Sequence, residues 1–167
     1  MKIKKIIILS FLALLSFSTF AQNKFGYIDS SELLSLMPEK KTAEGELQTF
    51  AKSLESQLGA MQAEYQASVQ DYQANEATYT DLVKQDKIAE ITNLEQRIQS
   101  FQQNAQNALQ KKEQELLEPI LAKARTAIED VAKEGKFTYI FDSSMGSILY
   151  ADENENVMSL VKKKLGL

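Results

Sequence analysis

Between Gly59 and Pro119 lie 59 residues without a single glycine or proline, dense in Gln, Glu, Ala, Lys and Leu. Nothing in such a run stops a helix, and its composition favours one. As one straight rod it would extend roughly 88 Å at 1.5 Å per residue, far beyond a compact domain. The chain must build either a fibre-like rod or a hairpin that doubles back, and that choice governs the rest of the reading.

The flanks decide it. Residues 23–29 (NKFGYID) alternate Phe25 and Tyr27 with other neighbours and run into Ser30 and Ser31, a short strand entering a helix cap. Asp29 or Ser30 can cap, Glu32 sits in the first turn, and Leu33, Leu34 and Met37 give one short apolar face. Pro38 suits the first turn of the next helix, where its missing N–H costs nothing. Far along the chain, residues 137–141 (FTYIF) read as a second strand, 142–146 as a turn and 147–151 (SILYA) as the partner strand. An acidic loop over 152–156 leads to a closing helix with Val157, Leu160, Val161 and Leu165 on its face. Lys162, Lys163 and Lys164 lie near that helix's C-terminal end, where the dipole favours cations. A straight rod would strand the first strand roughly 100 Å or more from the others, and an isolated strand is neither stable nor safe from aggregation. Folding the rod in half joins the ends. The expected fold class is α+β, mainly α: a long antiparallel helical hairpin of coiled-coil arms projecting from a small β cap.

The arms carry their own signature. Ala43, Leu47, Phe50 and Leu54 step by 4, 3 and 4; Leu58, Met61 and Tyr65 repeat those steps, and Val69 and Tyr72 begin a third round that fails at Glu76. Such an 11-residue repeat predicts a nearly straight helix. Gly45 and Gly59 weaken it by up to about 1 kcal/mol each. The pattern falters over residues 77–87 (ATYTDLVKQDK), where threonines and aspartates offer caps, so the hairpin tip is expected there. From Ile91 the period shifts to seven, with Ile91, Ile98 and Ala105 on one track and Leu94, Phe101 and Ala108 on another. Leu116 and Leu117 end this arm before Pro119, which is expected to kink or restart the helix. Ile120, Ala124, Ile128 and Val131 continue an amphipathic pattern that stops at Gly135. Residues 39–118 are thus the arm, and residues 22–38 and 119–167 a β-rich cap. Three short strands bury little core, so the cap is expected to oligomerise. Its contributing residues are Phe25, Tyr27, Ile28, Phe137, Tyr139, Phe141, Ile148 and Tyr150.

Composition narrows the function. Residues 1–21 combine Lys2, Lys4 and Lys5, an apolar run from Ile6 to Phe17 and a small-x-small pattern at Thr19 and Ala21, which reads as a secretory signal peptide. Its removal takes 19 basic and 23 acidic residues to 16 and 23, a net charge of −7. An acidic balance argues against nucleic-acid binding. No later apolar run is long enough for a membrane span, so an exported, soluble product with no integral membrane segment is expected. The chain has no cysteine and no histidine. Thiol chemistry, the commonest general base and the commonest zinc ligands are therefore missing, and no enzymatic activity, metal or cofactor is expected.

Three constellations are candidates for chemistry. Asp152, Asn154 and Asn156 occupy the first, third and fifth places of a calcium loop, but Val157 stands where Gly is needed and Lys163 where Glu is needed, so helix capping is the better reading. Asp29 and Asp142 each precede Ser-Ser and lack a nucleophile beside them, which leaves turn and cap roles. Lys84, Lys87 and Arg97 near the tip have acidic neighbours and read as solvated surface. The apolar stripe is the stronger candidate. Two helices cannot bury all of Phe50, Met61, Tyr65, Tyr72, Tyr79 and Phe101, and whatever stays open suits loose, promiscuous contact.

Phe25-Gly26-Tyr27-Ile28-Asp29-Ser30 followed by Leu33, Leu34 and Pro38-Glu39 forms an N-terminal signature. Pro119-Ile120, Ala127 through Glu134, Tyr139-Ile140-Phe141-Asp142 and Ile148 through Asp152 form a C-terminal one. In this order and spacing they resemble the Skp/OmpH family of periplasmic chaperones. The resemblance implies a homotrimer whose terminal strands close a small barrel, with three hairpins projecting around a cavity. It implies ATP-independent binding of unfolded outer-membrane or envelope proteins in the periplasm. In charge the chain departs from the family's best-known members, which are basic. The rival expectation is a structural coiled-coil envelope adaptor acting through its hairpin tip.

Overall fold

A computed structural model describes residues 23–167, so the expected leader lies outside the described residues. Strand β1 (Phe25–Ile28) passes through Asp29 into α1 (Ser30–Leu36), with Asp29 Oδ1 accepting the Glu32 amide at 2.9 Å as N-cap. Met37 is extended and breaks the helix, and Pro38 opens α2 (Pro38–Asn75) in its first turn. One 3₁₀ turn, Glu76–Thr78, reverses the chain. Thr80 then caps α3 (Asp81–Gly135), its hydroxyl accepting the Val83 amide. The chain closes with β2 (Tyr139–Asp142), a 3₁₀ turn at Glu153–Glu155 and α4 (Met158–Leu165). The reversal sits at the N-terminal edge of the stretch expected to hold it, and Asp81 to Lys87 are already helical.

α2 and α3 form an antiparallel hairpin. With 38 and 55 residues they run about 57 Å and 83 Å. Lys87 Nζ meets Asp71 Oδ2 at 3.1 Å near the tip, and Lys123 meets Glu39 at the base. α3 outlasts its partner, and its final turns carry the cap. Ala124, Ala127 and Val131 pack there against Ile28, Leu33, Val157 and Val161, with Met37, Ala43 and Ile120 closing the arm side of the same core.

Pro119 does not break the helix. α3 is continuous through it, although a proline inside a helix costs about 3 kcal/mol. Leu116, Leu117 and Ile120 pack on the core around it, so tertiary burial holds the turn that local propensity would open. α3 ends at Gly135, as expected. The left-handed cap residue is Lys136 (φ 55). Gly135 serves as space, because a Cβ there would lie 2.4 Å from the Phe137 ring.

The sheet has two strands, paired in parallel with Phe25 opposite Tyr139 and Ile28 opposite Asp142. The expected hairpin between residues 137–141 and 147–151 is absent. Residues 147–151 form no strand, and β2 spends its ladder bonds on β1. Ser143 to Gly146 form a turn with Gly146 at φ 68, and the chain then leaves the sheet without a partner for its backbone. On the other side of β1, the Val157 amide donates to the Tyr27 carbonyl at 3.0 Å. Gly26 lets these layers close, since a Cβ would come within 3.0 Å of both Phe137 and Val157.

Candidate functional site

The apolar tracks of the two arms meet. Leu47, Phe50, Leu54, Leu58, Met61, Tyr65, Val69 and Tyr72 on α2 are all half-buried, as are Ile91, Ile98, Phe101, Ala105 and Ala108 on α3. Leu94 is the buried member of this stripe, 3 % exposed. Two helices shield each seam side chain from one direction only, so aromatic and thioether surface stays in contact with solvent along the arm. Phe50, Met61, Tyr65 and Phe101 follow this seam. They are spread along the rod and do not converge on a pocket: Phe50 and Tyr65 alone are about 22 Å apart along α2.

Tyr72 and Tyr79 sit at the tip, their rings 6.5 Å apart. The Tyr79 hydroxyl donates to Asp71 Oδ2 at 3.1 Å, and Asn75 donates to Asp71 Oδ1 at 3.0 Å. The Lys87 ammonium beside it, with Tyr79 second, holds the Asp71 carboxyl below its usual value. Burial, then the Asp71 hydrogen bond, pushes the Tyr79 hydroxyl up. These groups clasp the two arms where the chain turns. Just beyond them Leu82, Val83 and Ile88 face solvent, with Leu82 70 % exposed. Sequence reasoning placed Leu82 and Val83 in the turn, gave Ile88 no role, and so missed the three as a surface.

Lys87 is tied to Asp71 and to Glu90. Arg97 lies about 24 Å along α3 from its start, at mid-arm rather than at the tip.

At the other end, Phe25, Tyr139 and Phe141 form an aromatic ladder on the outer sheet face, with centroids 6.0 to 6.2 Å apart. All three remain exposed. Strand alternation explains the split among the expected cap residues: Ile28 points inward and is buried, Tyr27 is half-buried, and Phe137 tucks under the Lys24 ammonium, which lies 4.0 Å from its ring centre. Ile148 is half-buried and Tyr150 exposed, in irregular backbone instead of the expected strand. Met145 and Leu149, which the sequence reading did not select, are 87 % and 97 % exposed. Large exposed apolar side chains gathered at one end of a fold are typical of interaction surfaces.

The carboxylates read as caps act as caps. Asp142 accepts from the Ser30 amide at 3.2 Å, the Ser30 hydroxyl at 2.5 Å and the Ser144 amide at 2.9 Å. Partial burial pushes its carboxyl up, but these bonds outweigh that and bring it down to about 2. Because the folded value lies below the ordinary one, the stabilisation is full above the normal carboxylate range and is lost as pH falls toward 2. Asp142→Asn should therefore cost about 1 kcal/mol at neutral pH at this solvent-screened site. The gap to wild type should shrink between pH 4 and 2, as read by thermal unfolding; a gap independent of pH would contradict this account. Asp152 accepts the Asn154 amide, and Asn156 accepts the Met158 amide at the start of α4. Among the described residues no three His, Cys, Asp or Glu side chains cluster as metal ligands, and no helix is long and apolar enough to cross a membrane.

A two-helix arm with a half-open seam, rooted in an incompletely covered α/β cap, defines a class of helical-hairpin proteins built to present surface instead of a cleft. The sequence matches the family described as outer membrane protein (OmpH-like) over residues 24–165. The chain belongs to that family. Its fold is similar to the crystal structure of a candidate outer membrane chaperone (OmpH-like) from Caulobacter crescentus CB15, with a TM-score of 0.76 at 16 % identity, covering 87 % of this chain and 85 % of that one. No curated protein matches the sequence.

Proposed function

We propose that the protein is a periplasmic holdase chaperone that binds unfolded outer-membrane proteins and prevents their aggregation without ATP, a cofactor or a catalytic step. The observation that carries this reading is the seam: a long rod of aromatic, Met and aliphatic side chains that two helices leave half open. Large or adaptable side chains in many weak sites suit unfolded chains of varied sequence. Family membership, the signal-like leader and the chaperone description of the Caulobacter relative support it further. The exposed ladder and the unpartnered segment at 147–151 fit a homotrimer in which strands from neighbouring copies complete the sheet. The acidic charge keeps the loaded complex soluble, and release follows when folding in the membrane offers the client a lower free energy.

The test mixes the mature protein with a urea-denatured outer-membrane β-barrel, dilutes the urea and follows light scattering and complex mass. Suppressed aggregation without nucleotide, at the mass of a trimer plus client, is the expected result. Unchanged aggregation beside a folded trimer would sink the reading.

Exposure of Leu82, Val83 and Ile88 at the tip favours one rival, a structural envelope adaptor that docks end-on. Deleting the tip (residues 77–87) would abolish an adaptor's function and only weaken a holdase.

A further inference from the structure

From Gln96 to Gln110, α3 carries a single charged side chain, Arg97, among eight Gln and Asn residues. On the arms and at their base, Lys40, Lys87, Lys111 and Lys123 each pair with a carboxylate, while among the described residues Lys41, Lys52, Lys84 and Lys112 stand unpaired. Among the described residues Arg97 has no carboxylate within ion-pair distance. It borders an open groove of about 940 Å³ between the arms, lined by Gln57 and Met61 from α2 and by Asn93, Arg97, Phe101 and Asn104 from α3. The groove thus offers an apolar floor in Met61 and Phe101, amides that can donate and accept, and one exposed guanidinium without an ion-pair partner. A guanidinium's planar fork matches a carboxylate.

Asn93, Arg97 and Phe101 stand on successive turns of one helix face, about 6 Å apart along the axis. In an extended peptide, every second side chain lies on one face, about 6.8 Å apart. The two spacings differ by about 0.8 Å per step, or about 1.6 Å over three positions, so an extended segment laid along α3 can still address one residue to each turn. Resting on the holdase reading, we propose that this groove selects extended client segments with a carboxylate at one position and an aromatic side chain two residues away. The carboxylate pairs with Arg97, the ring rests on Phe101 and Met61, and the amides of Gln57, Asn93 and Asn104 bond the segment's backbone. In a transmembrane β-barrel, that chemistry belongs to strand ends, where the aromatic girdle meets polar loops.

The test measures fluorescence anisotropy of two labelled ten-residue peptides on the mature protein. The peptides are identical except for a central Asp-Thr-Phe or Lys-Thr-Phe. The Asp peptide should bind about fivefold tighter at low salt, the size of a favourable exposed ion pair. Arg97→Glu should abolish or invert the preference, and Arg97→Lys should retain part of it; circular dichroism confirms that the variants fold. Equal binding of the two peptides, no binding of either, or a preference that survives Arg97→Glu overturns the proposal. Barrel aggregation followed in parallel reads the parent function separately. Suppression by wild type without peptide preference sinks the groove alone, and failure to suppress sinks the holdase reading whatever the peptides do.

Discussion

Leu33→Ala should lower the stability of the mature protein by about 3 kcal/mol in urea unfolding followed by circular dichroism. Leu33 is fully buried and is the one buried residue of α1, a helix of seven residues. A helix that short has no independent stability, so its position depends on that anchor. The substitution removes the transfer energy of a buried isobutyl group and leaves a void among Ile28, Val131 and Val161, a combination that typically costs 2–5 kcal/mol, or about 3 here. Against a total of roughly 5–15 kcal/mol for a domain, the cap should be the first part to open. Serine 30, at the start of α1, also holds Asp142 of β2, so loosening α1 should loosen the sheet. A loss below about 0.5 kcal/mol, the range of ordinary surface changes, would mean that α1 is not anchored as described.

On the proposed trimer, Phe141→Asp combined with Leu149→Asp should yield monomers without unfolding the arms. Phe141 belongs to the exposed ladder and Leu149 is 97 % exposed, so neither supports the core of its own chain. A two-stranded sheet is marginal by itself, and β2 has no strand on its outer side. Charges placed there would have to be desolvated on association. Loss of central aromatic and aliphatic anchors should raise the dissociation constant by about 100-fold or more, the equivalent of roughly 3 kcal/mol. Size-exclusion chromatography with mass measurement reads the result directly. A variant that kept its assembled mass would place the interface elsewhere and leave the ladder as a second contact surface.

Much of the architecture is written locally. Asp29 before Ser-Ser-Glu and Pro38 at a first turn mark their helices because capping and proline geometry involve only a few neighbouring residues. The seam from Ala43 to Tyr72 follows from side-chain spacing on a helix, which needs no tertiary information. Candidate surface was less legible. The aromatic residues of the seam could be named, but which stay half open depends on the helix they meet. Arg97 looked like one more solvated charge, since its lack of a partner and its place beside Met61 are properties of the packed hairpin.

The failures share a cause. Residues 147–151 have every local mark of a strand, yet strand formation requires a partner; within this chain β2 pairs with β1 across 114 residues of sequence, and its other edge carries no strand. Pro119 has the local mark of a break, yet burial of Ile120 and its neighbours outweighs the lost hydrogen bond. The sequence by itself determined the helical arms, their caps and the apolar stripe, because propensity and periodicity act over one or two turns. The tertiary structure alone decided the parallel pairing, the continuous α3 and the groove at Arg97, because each depends on the free energy of contacts between residues far apart in the chain.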